Sequence, residues 1–511
     1  MGWARAAVGL VAVVAAGALL VSGGDEADPR TPDGLPGMPP PFLGVAVLGD
    51  GGLTAAVDAY GNVVDLRDGP AGEALIENPA DRQAAGTVAS DTGIQAWARI
   101  AGGPSLPMWR ADSVRQRYFP GMSALQTVAL FDGARVEIIQ AARGQALAMA
   151  VDGGGASVGI RGAADLGCER QRDGRAVTLL CSADKRDEGS PLDGVAAADQ
   201  RWLERGRPLG AAAPGWAERM YERSLLVLRA LTDRETGAVA AGARDGWAYV
   251  WPRDASAVAI AFASAGYRAE AERVTRFLLG LGLEHAARFH GDGSPIPDRA
   301  AQGDAIGWVA AASQAAGFGS ARQAAHILAG GEAIPWRDRA DYWEGDPGDY
   351  LGNAIASHAD VSDFKGHSDP GKSDTPLVGL VRVAGEAGSG LDSAAAWAVR
   401  PFSMPRLYPA ARATLKRLAS QATPYGITPG EGWPGGEDPW TAPTAWSAWS
   451  LAALGERRQA LRMMQALRRA ATPAGDLPER VDARTGIPRS TTPLAWSHAF
   501  AILALRQLWP S

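Results

Sequence analysis

Cysteine is almost missing: the 511 residues contain two, Cys168 and Cys181. That is too few for a disulfide-framed small fold and, with no histidine beside them, too few ligands for a zinc site. Histidine is also scarce, with six in the chain and none in a cluster with carboxylates, so the sequence predicts no catalytic metal. No glycine-rich phosphate loop is present, and no cofactor is expected. Lysine is rare and the net charge is -6, which argues against general nucleic-acid binding. Long apolar runs are lacking with one exception. Ala6 to Val21 follows Arg5 and leads into Ser22-Gly23-Gly24, the pattern of a secretory signal peptide or of an uncleaved membrane anchor. The run is slightly short for a comfortable bilayer span. No cysteine follows it, which closes the lipoprotein option.

We therefore read residues 1–24 as signal peptide or anchor, with anchoring through residues 6–21. Residues 25–42 read as a proline-rich linker, and the rest as secreted or membrane-anchored on the extracytoplasmic side. The cysteines agree with export. They flank Asp173-Gly174, and a four-residue loop from Asp173 to Ala176 would set them opposite each other for a disulfide. Two buried thiols are the alternative.

Tryptophan is what the chain has in quantity. There are seventeen, and the thirteen from Trp216 onward put most of the large flat apolar faces in the second half. Such faces suit sugar rings and equally suit an ordinary core. The chain is too long for one ordinary domain. Residues 43–195 alternate with a period near two: Leu53–Asp58, a Tyr60-Gly61-Asn62 turn, Val63–Leu66, then Leu125–Phe131, Asp132-Gly133 and Arg135–Ile139. This predicts an all-β sandwich. A connecting helix is expected within 196–215, at Ala196–Arg205. From residue 216 to 511 the period is helical. Met220, Leu225, Leu228 and Leu231 line one face, and further helices are predicted at Ala255–Gly266, Ala269–Phe289, Ala305–Gly317, Tyr408–Gln421, Thr441–Leu454, Glu456–Ala471 and Pro493–Leu508. Between them run loops rich in Gly, Pro, Trp and Asp, where binding residues collect.

Those loops carry the chemistry. Asp245-Gly246-Trp247-Ala248-Tyr249-Val250-Trp251-Pro252-Arg253-Asp254 sets aromatics beside an Arg-Asp pair able to grip vicinal hydroxyls. The structural alternative is that Asp254 caps a helix starting at Ala255. Gln302-Gly303-Asp304-Ala305-Ile306-Gly307-Trp308 repeats the design, with an N-cap as its plain explanation. In Asp341-Tyr342-Trp343-Glu344, an indole beside Glu344 could desolvate it, as a general acid requires; a solvated loop acid is the alternative. Trp433-Pro434-Gly435-Gly436-Glu437-Asp438-Pro439-Trp440 reads as an aromatic rim. Glu479, in Leu477-Pro478-Glu479-Arg480, precedes Thr485-Gly486-Ile487-Pro488 and Thr492-Pro493-Leu494-Ala495-Trp496-Ser497-His498, where Thr492-Pro493 is expected to open the last helix. Glu479 is a candidate base or a mere complement to that helix dipole. His498 reads as a structural hydrogen-bonding residue.

In this order the motifs resemble those of glycoside hydrolase family 15, in particular its bacterial glucoamylases and glucodextranases. The resemblance runs over roughly 216–511, and the preceding region has the character of the family's β-sandwich. It implies an all-α (α/α)6 barrel catalytic domain preceded by an all-β sandwich domain. It also implies Glu344 as general acid, Glu479 as general base and Arg253 with Asp254 as the clamp on a terminal glucose. Tyr249, Trp251, Asp304, Trp343, Trp440 and Trp496 would complete the pocket. Inversion would require the two carboxyl groups to stand roughly 6.5–9.5 Å apart. The chain departs from the family pattern where Gly426-Ile427 is followed by Thr428-Pro429 rather than Arg-Tyr, and where Gly345 follows the acid. The expected activity is an inverting exo-hydrolase releasing glucose from α-linked glucans or oligosaccharides. The alternatives are a trehalase, an α-1,6-glucan hydrolase, or a non-catalytic carbohydrate-binding protein on the same scaffold.

Overall fold

The computed structural model describes residues 46–77, 93–162, 166–182, 190–244, 246–367 and 377–511. The leader and linker expected over 1–42 lie outside these residues, as do the first three positions of the expected β region.

The first region is antiparallel throughout its sheets. Strands β1 (Ala46–Leu48), β2 (Leu53–Val57), β3 (Val63–Asp68) and β4 (Glu73–Glu77) form one sheet in chain order. β5 (Gln95–Arg99), β6 (Ser105–Pro107) and β11 (Ser157–Arg161) form a second, ordered β11-β5-β6. β7 (Ser113–Tyr118), β8 (Leu125–Phe131), β9 (Ala134–Arg143), β10 (Ala146–Asp152), β12 (Glu169–Asp173) and β13 (Ala176–Ser182) form the third, ordered β12-β13-β10-β9-β8-β7. Alternation decides which faces turn inward. In β13, Val177, Leu179 and Cys181 are buried while their neighbours are only half-buried. Leu53, Val63, Ala96, Val158, Leu125, Val136, Leu147 and Leu179 meet in one apolar core shared by all three sheets. The register of β12 on β13 pairs Glu169 with Leu180, so the next step places Cys168 against Cys181, and the two form a disulfide.

The connecting helix is longer than expected and begins inside the β region. α1 (Pro191–Leu203) opens with a proline in its first turn and buries Leu192, Val195, Ala198 and Trp202 along one face, packing on β9 and β10. The helical region follows with α2 (Gly215–Ala230), α3 (Pro252–Ala265), α4 (Arg268–Leu279), α5 (Ala305–Ala316), α6 (Ala321–Leu328), α7 (Leu351–Ala356), α8 (Tyr408–Ser420), α9 (Thr441–Ala453), α10 (Arg457–Ala470) and α11 (Ala495–Leu508). α6 and α7 were not predicted.

Packing sorts these elements into two kinds. α11 packs on α3, α3 on α5, α5 on α7, α7 on a 3-10 segment (Ser393–Ala398), that segment on α9, and α9 back on α11. Members of this closed cycle are apolar nearly all round: α3, α9 and α11 bury residues on every face. The others flank the cycle and are amphipathic. α10, for example, buries Ala460, Met463, Met464, Leu467 and Ala470 and leaves its arginines outside.

Two boundaries correct the sequence reading. The helix expected over Ala269–Phe289 stops at Leu279, because Gly280 and Gly282 interrupt it, and the chain then forms a hairpin of β14 (Arg288–Phe289) and β15 (Pro295–Ile296). The last helix begins at Ala495, not Pro493; Thr492-Pro493 lies ahead of it in the approach loop, in the cis form.

Candidate active site

Four helices of the cycle point their N-termini to the same end of the region. Arg253 and Asp254 lie in the first turn of α3, Asp304 is the residue before α5, Trp440 precedes α9, and Trp496 lies in the first turn of α11. Neither Asp254 nor Asp304 caps its helix through its side chain, so the N-cap explanation fails for both. Instead the Arg253 guanidinium donates to Asp304 at 3.1 Å and to Gln302 at 2.6 Å, and lies 4.7 Å over the Trp496 ring. Asp254 is buried 3.5 Å from Arg253. Burial pushes its carboxyl up to about 7, against the pull of Arg253, and the charges of Asp304 and Glu479 push the same way.

Glu479 stands in a loop fixed from several sides. Its N–H donates to the Thr491 carbonyl at 2.9 Å, its own carbonyl accepts from Thr441 N–H at 3.0 Å, and Thr441 Oγ1 donates to Pro478. Two residues earlier, Leu477 N–H donates to His498 Nε2 at 2.9 Å, which leaves Nδ1 to carry the proton toward Ser224 Oγ at 2.9 Å. Burial holds His498 down to about 3, so it stays neutral and keeps that bond at any working pH. The Glu479 carboxylate accepts from Ser490 Oγ. Burial raises its pKa, opposed by Ser490, Arg480, the Trp247 side chain and Arg299.

Glu344 sits differently. It closes a tight turn in which its N–H donates to the Asp341 carbonyl at 2.9 Å, and its backbone has φ 57°, a conformation a non-glycine residue rarely takes. The turn is held by Arg382 on Asp341 at 3.0 Å and by Tyr342 on Asp392 at 2.7 Å. Glu344 accepts from the Trp251 indole N–H at 3.1 Å and forms an ion pair with Arg299. Arg299 follows β15, and the charge of Glu479 also acts on it. Glu344 thus contacts Arg299 directly, while Glu479, far away in sequence, acts on the same arginine through its charge alone.

The remaining predicted residues take two positions. Trp343 and Trp440 are joined edge-to-face through Trp433, at 5.0 and 5.2 Å, as one aromatic wall. Tyr249 lies a layer out, against His290 and under Arg288. Among the described residues, buried polar atoms without a hydrogen-bond partner gather around this site: Arg253 Nε, Asp254 Oδ1, Asp304 Oδ1, Asp341 Oδ2 and the indole N–H groups of Trp343, Trp440 and Trp496. Each costs about 1–3 kcal/mol if left so, and a polyhydroxylated ligand supplies both the donors and the acceptors they need. A cleft of about 490 Å³ lies at the other ends of these helices between Ile260, Arg400, Trp449 and Arg506 and contains none of these groups.

Sequence reasoning passed over Arg299, Ser490, Arg382 and the contact of Trp247 with Glu479. The first was within reach, because Gly280, Gly282 and the Asp292-Gly293 turn mark the hairpin that delivers it.

Comparison with known proteins agrees with the motifs. Residues 215–281 match the family model described as glycosyl hydrolases family 15. Among solved structures, a bacterial glucoamylase complexed with acarbose superposes with a TM-score of 0.63 at 13% identity, over 96% of each chain, so the fold of both regions is shared. A wild-type glycosidase matches at 21% identity and TM-score 0.48, over 57% of this chain and 97% of its own. A glucoamylase from Saccharomycopsis fibuligera matches at 14% identity and TM-score 0.45, over 57% of this chain and 94% of its own. No curated protein matches the sequence. The matched segment and the glucoamylase-like fold together make glycosyl hydrolases family 15 the family this chain resembles and mark it as a glycoside hydrolase.

Proposed function

We propose that the protein is an exported, inverting, exo-acting glycoside hydrolase that removes glucose from the non-reducing ends of α-linked gluco-oligosaccharides or polysaccharides. The helical region is read as an (α/α)6 barrel whose inner ring is the closed cycle of α3, α5, α7, the Ser393–Ala398 segment, α9 and α11, behind a β-sandwich. Two inner members are only a six-residue helix and a 3-10 segment, so the barrel is abbreviated between Glu344 and Tyr408.

Glu344 acts as general acid. It gives its proton to the glycosidic oxygen, and the C1–O bond breaks toward the leaving sugar. Glu479 acts as general base, taking a proton from the water that forms the new C1–O bond on the opposite face. Arg253, Asp254 and Asp304 hold the terminal glucose at the closed end, with Trp251, Trp343, Trp440 and Trp496 as its walls and Tyr249 farther out, where Arg288 lies over both it and Trp251. The observation that supports this reading is the contact of Glu344 with Arg299, on which the charge of Glu479 also acts, next to unpaired buried donors and acceptors. Export is supported by the leader pattern and by the Cys168–Cys181 disulfide, which an oxidising compartment maintains; anchoring through residues 6–21 is the alternative to cleavage.

The decisive experiment follows hydrolysis of maltose, isomaltose, trehalose and dextran by NMR and reads which anomer of glucose appears first. The attacked glucose is expected as the β-anomer, accompanied with trehalose by one α-glucose from the leaving side. An attacked glucose released as the α-anomer would sink inversion, and cleavage of trehalose alone would make the protein a trehalase. A non-catalytic sugar-binding protein is the second reading, favoured by the Arg299–Glu344 ion pair, since a paired carboxylate is no acid. It predicts binding without release of any sugar.

A further inference from the structure

We propose that the leaving-group side of this pocket is built for an anionic sugar, one carrying a carboxylate next to the scissile bond, and that Arg299 is the residue that recognises it. The inference rests on the acid and base assignment above and names the substrate class of the same site.

It starts from a conflict in the geometry. A general acid must hold a proton, yet the Glu344 carboxylate is paired with the Arg299 guanidinium. A guanidinium at that range stabilises the ionised carboxylate. Both partners are partly open to solvent, with side-chain exposures of 41% for Arg299 and 33% for Glu344, so the pair lies at the mouth and is free to part. Glu344 can protonate a leaving oxygen only after Arg299 has been drawn away. Neutral hydroxyls compete poorly with a carboxylate for a guanidinium, whereas another carboxylate competes on equal terms. Because the acid stands beside the leaving oxygen, the competing carboxylate belongs to the departing sugar.

The surroundings of Arg299 suit this role. Its backbone is held: the Arg299 carbonyl accepts from Ala287 N–H at 3.3 Å, Phe289 and Val250 exchange hydrogen bonds at 2.8 and 2.9 Å, and Gly291 N–H donates to Ala71 of the β region at 3.0 Å. Only the side chain is left to move. The other charges nearby are committed. Asp298 is paired with Arg288, and Glu479 is held by Ser490 and Trp247. Arg288 and Arg299 lie 5.3 and 6.0 Å over the Trp251 ring, whose indole N–H binds Glu344, so both guanidiniums and the acid meet at one indole. When the substrate carboxylate takes Arg299, Glu344 loses its counter-charge and takes up a proton from solvent. It passes that proton to the leaving oxygen while Glu479 receives one from the attacking water. The products are glucose and the free acidic sugar.

The test compares a matched pair that shares linkage, ring form and terminal glucose: maltose with glucosyl-α-1,4-glucuronate, whose carboxylate sits on the carbon adjacent to the linkage. Wild type is expected to favour the carboxylate-bearing member by about 10- to 100-fold in kcat/KM, the range of one charge-assisted hydrogen bond. Arg299→Gln should remove that preference and Arg299→Lys should keep part of it, a change in ratio that a merely structural arginine would not produce. Equal rates on both members with wild type, or an unchanged preference in Arg299→Gln, would overturn the proposal while leaving the hydrolase reading intact. If wild type releases glucose from none of them, the hydrolase reading fails instead. Calorimetric binding of glucosyl-α-1,4-glucuronate and maltose to wild type and Arg299→Gln then decides the anion site on its own: Arg299-dependent preference supports it, and its lack refutes it.

Discussion

The two glutamates of the site live in opposite surroundings. Glu479 has backbone bonds on both its N–H and its carbonyl, a neighbouring peptide tied to a neutral buried histidine, and a carboxylate kept ionisable against burial by Ser490 and Trp247. Glu344 stands on a strained turn at the mouth, held by one indole N–H and one partly exposed arginine. The difference matches two tasks. A base that aims a water has to stand still, because misplacement by about 1 Å costs roughly 100-fold in rate. An acid that gains and loses a proton each cycle needs access to solvent and a neighbour that can leave.

The largest effect that would break this comparison comes from removing either carboxylate. Glu344→Gln and Glu479→Gln should each lower kcat by about 10²- to 10⁴-fold with little change in sugar binding. The measurement is kcat on the preferred disaccharide beside calorimetric binding of the same sugar. Near-wild-type turnover in either variant removes that residue from the mechanism.

Next in size is a difference in stability. His498→Ala leaves the buried Leu477 N–H without its acceptor and should cost about 1–3 kcal/mol in denaturant unfolding, with a further loss of kcat as the Glu479 loop relaxes. Arg299→Gln breaks a solvent-exposed pair and should stay within about 1 kcal/mol of wild type. Equal losses would mean that the acid loop is as tightly built as the base loop, and the contrast drawn here would be wrong.

This contrast also separates what the sequence revealed from what it hid. Elements with a strong local signal were legible: Leu125–Phe131 alternates and is a strand at those bounds, and Thr441–Leu454 carries no charge and is a helix over Thr441–Ala453. The base loop was legible as a stretch because its parts are contiguous, with Pro478, Glu479 and His498 close in the chain. The acid's surroundings were not, since Trp251, Arg299 and Arg382 come from three separate segments and meet Glu344 or its turn only through the folded topology. Reading a helix through Gly280 and Gly282 to Phe289 concealed the hairpin that delivers Arg299. A single loop arginine has no periodicity to betray it. α7 and the Ser393–Ala398 segment are too short for a helical period to emerge from the sequence.

The smallest effect isolates one hydrogen bond. Ser490 donates to the Glu479 carboxylate and so favours its ionised form, while burial favours the protonated one. Ser490→Ala leaves burial less opposed, and the pKa of Glu479 rises further. Because the base must be ionised to accept a proton from water, the acidic limb of the pH profile of kcat/KM should move to higher pH, while the alkaline limb, set by the acid, stays in place. The same substitution removes a bond to Glu479 and none to Glu344, so it should leave any preference for a charged leaving sugar unchanged. A shift of both limbs together would show that the two carboxyl groups titrate as one coupled pair. In that case the division into a fixed base and an adjustable acid would have to give way to a single shared proton site.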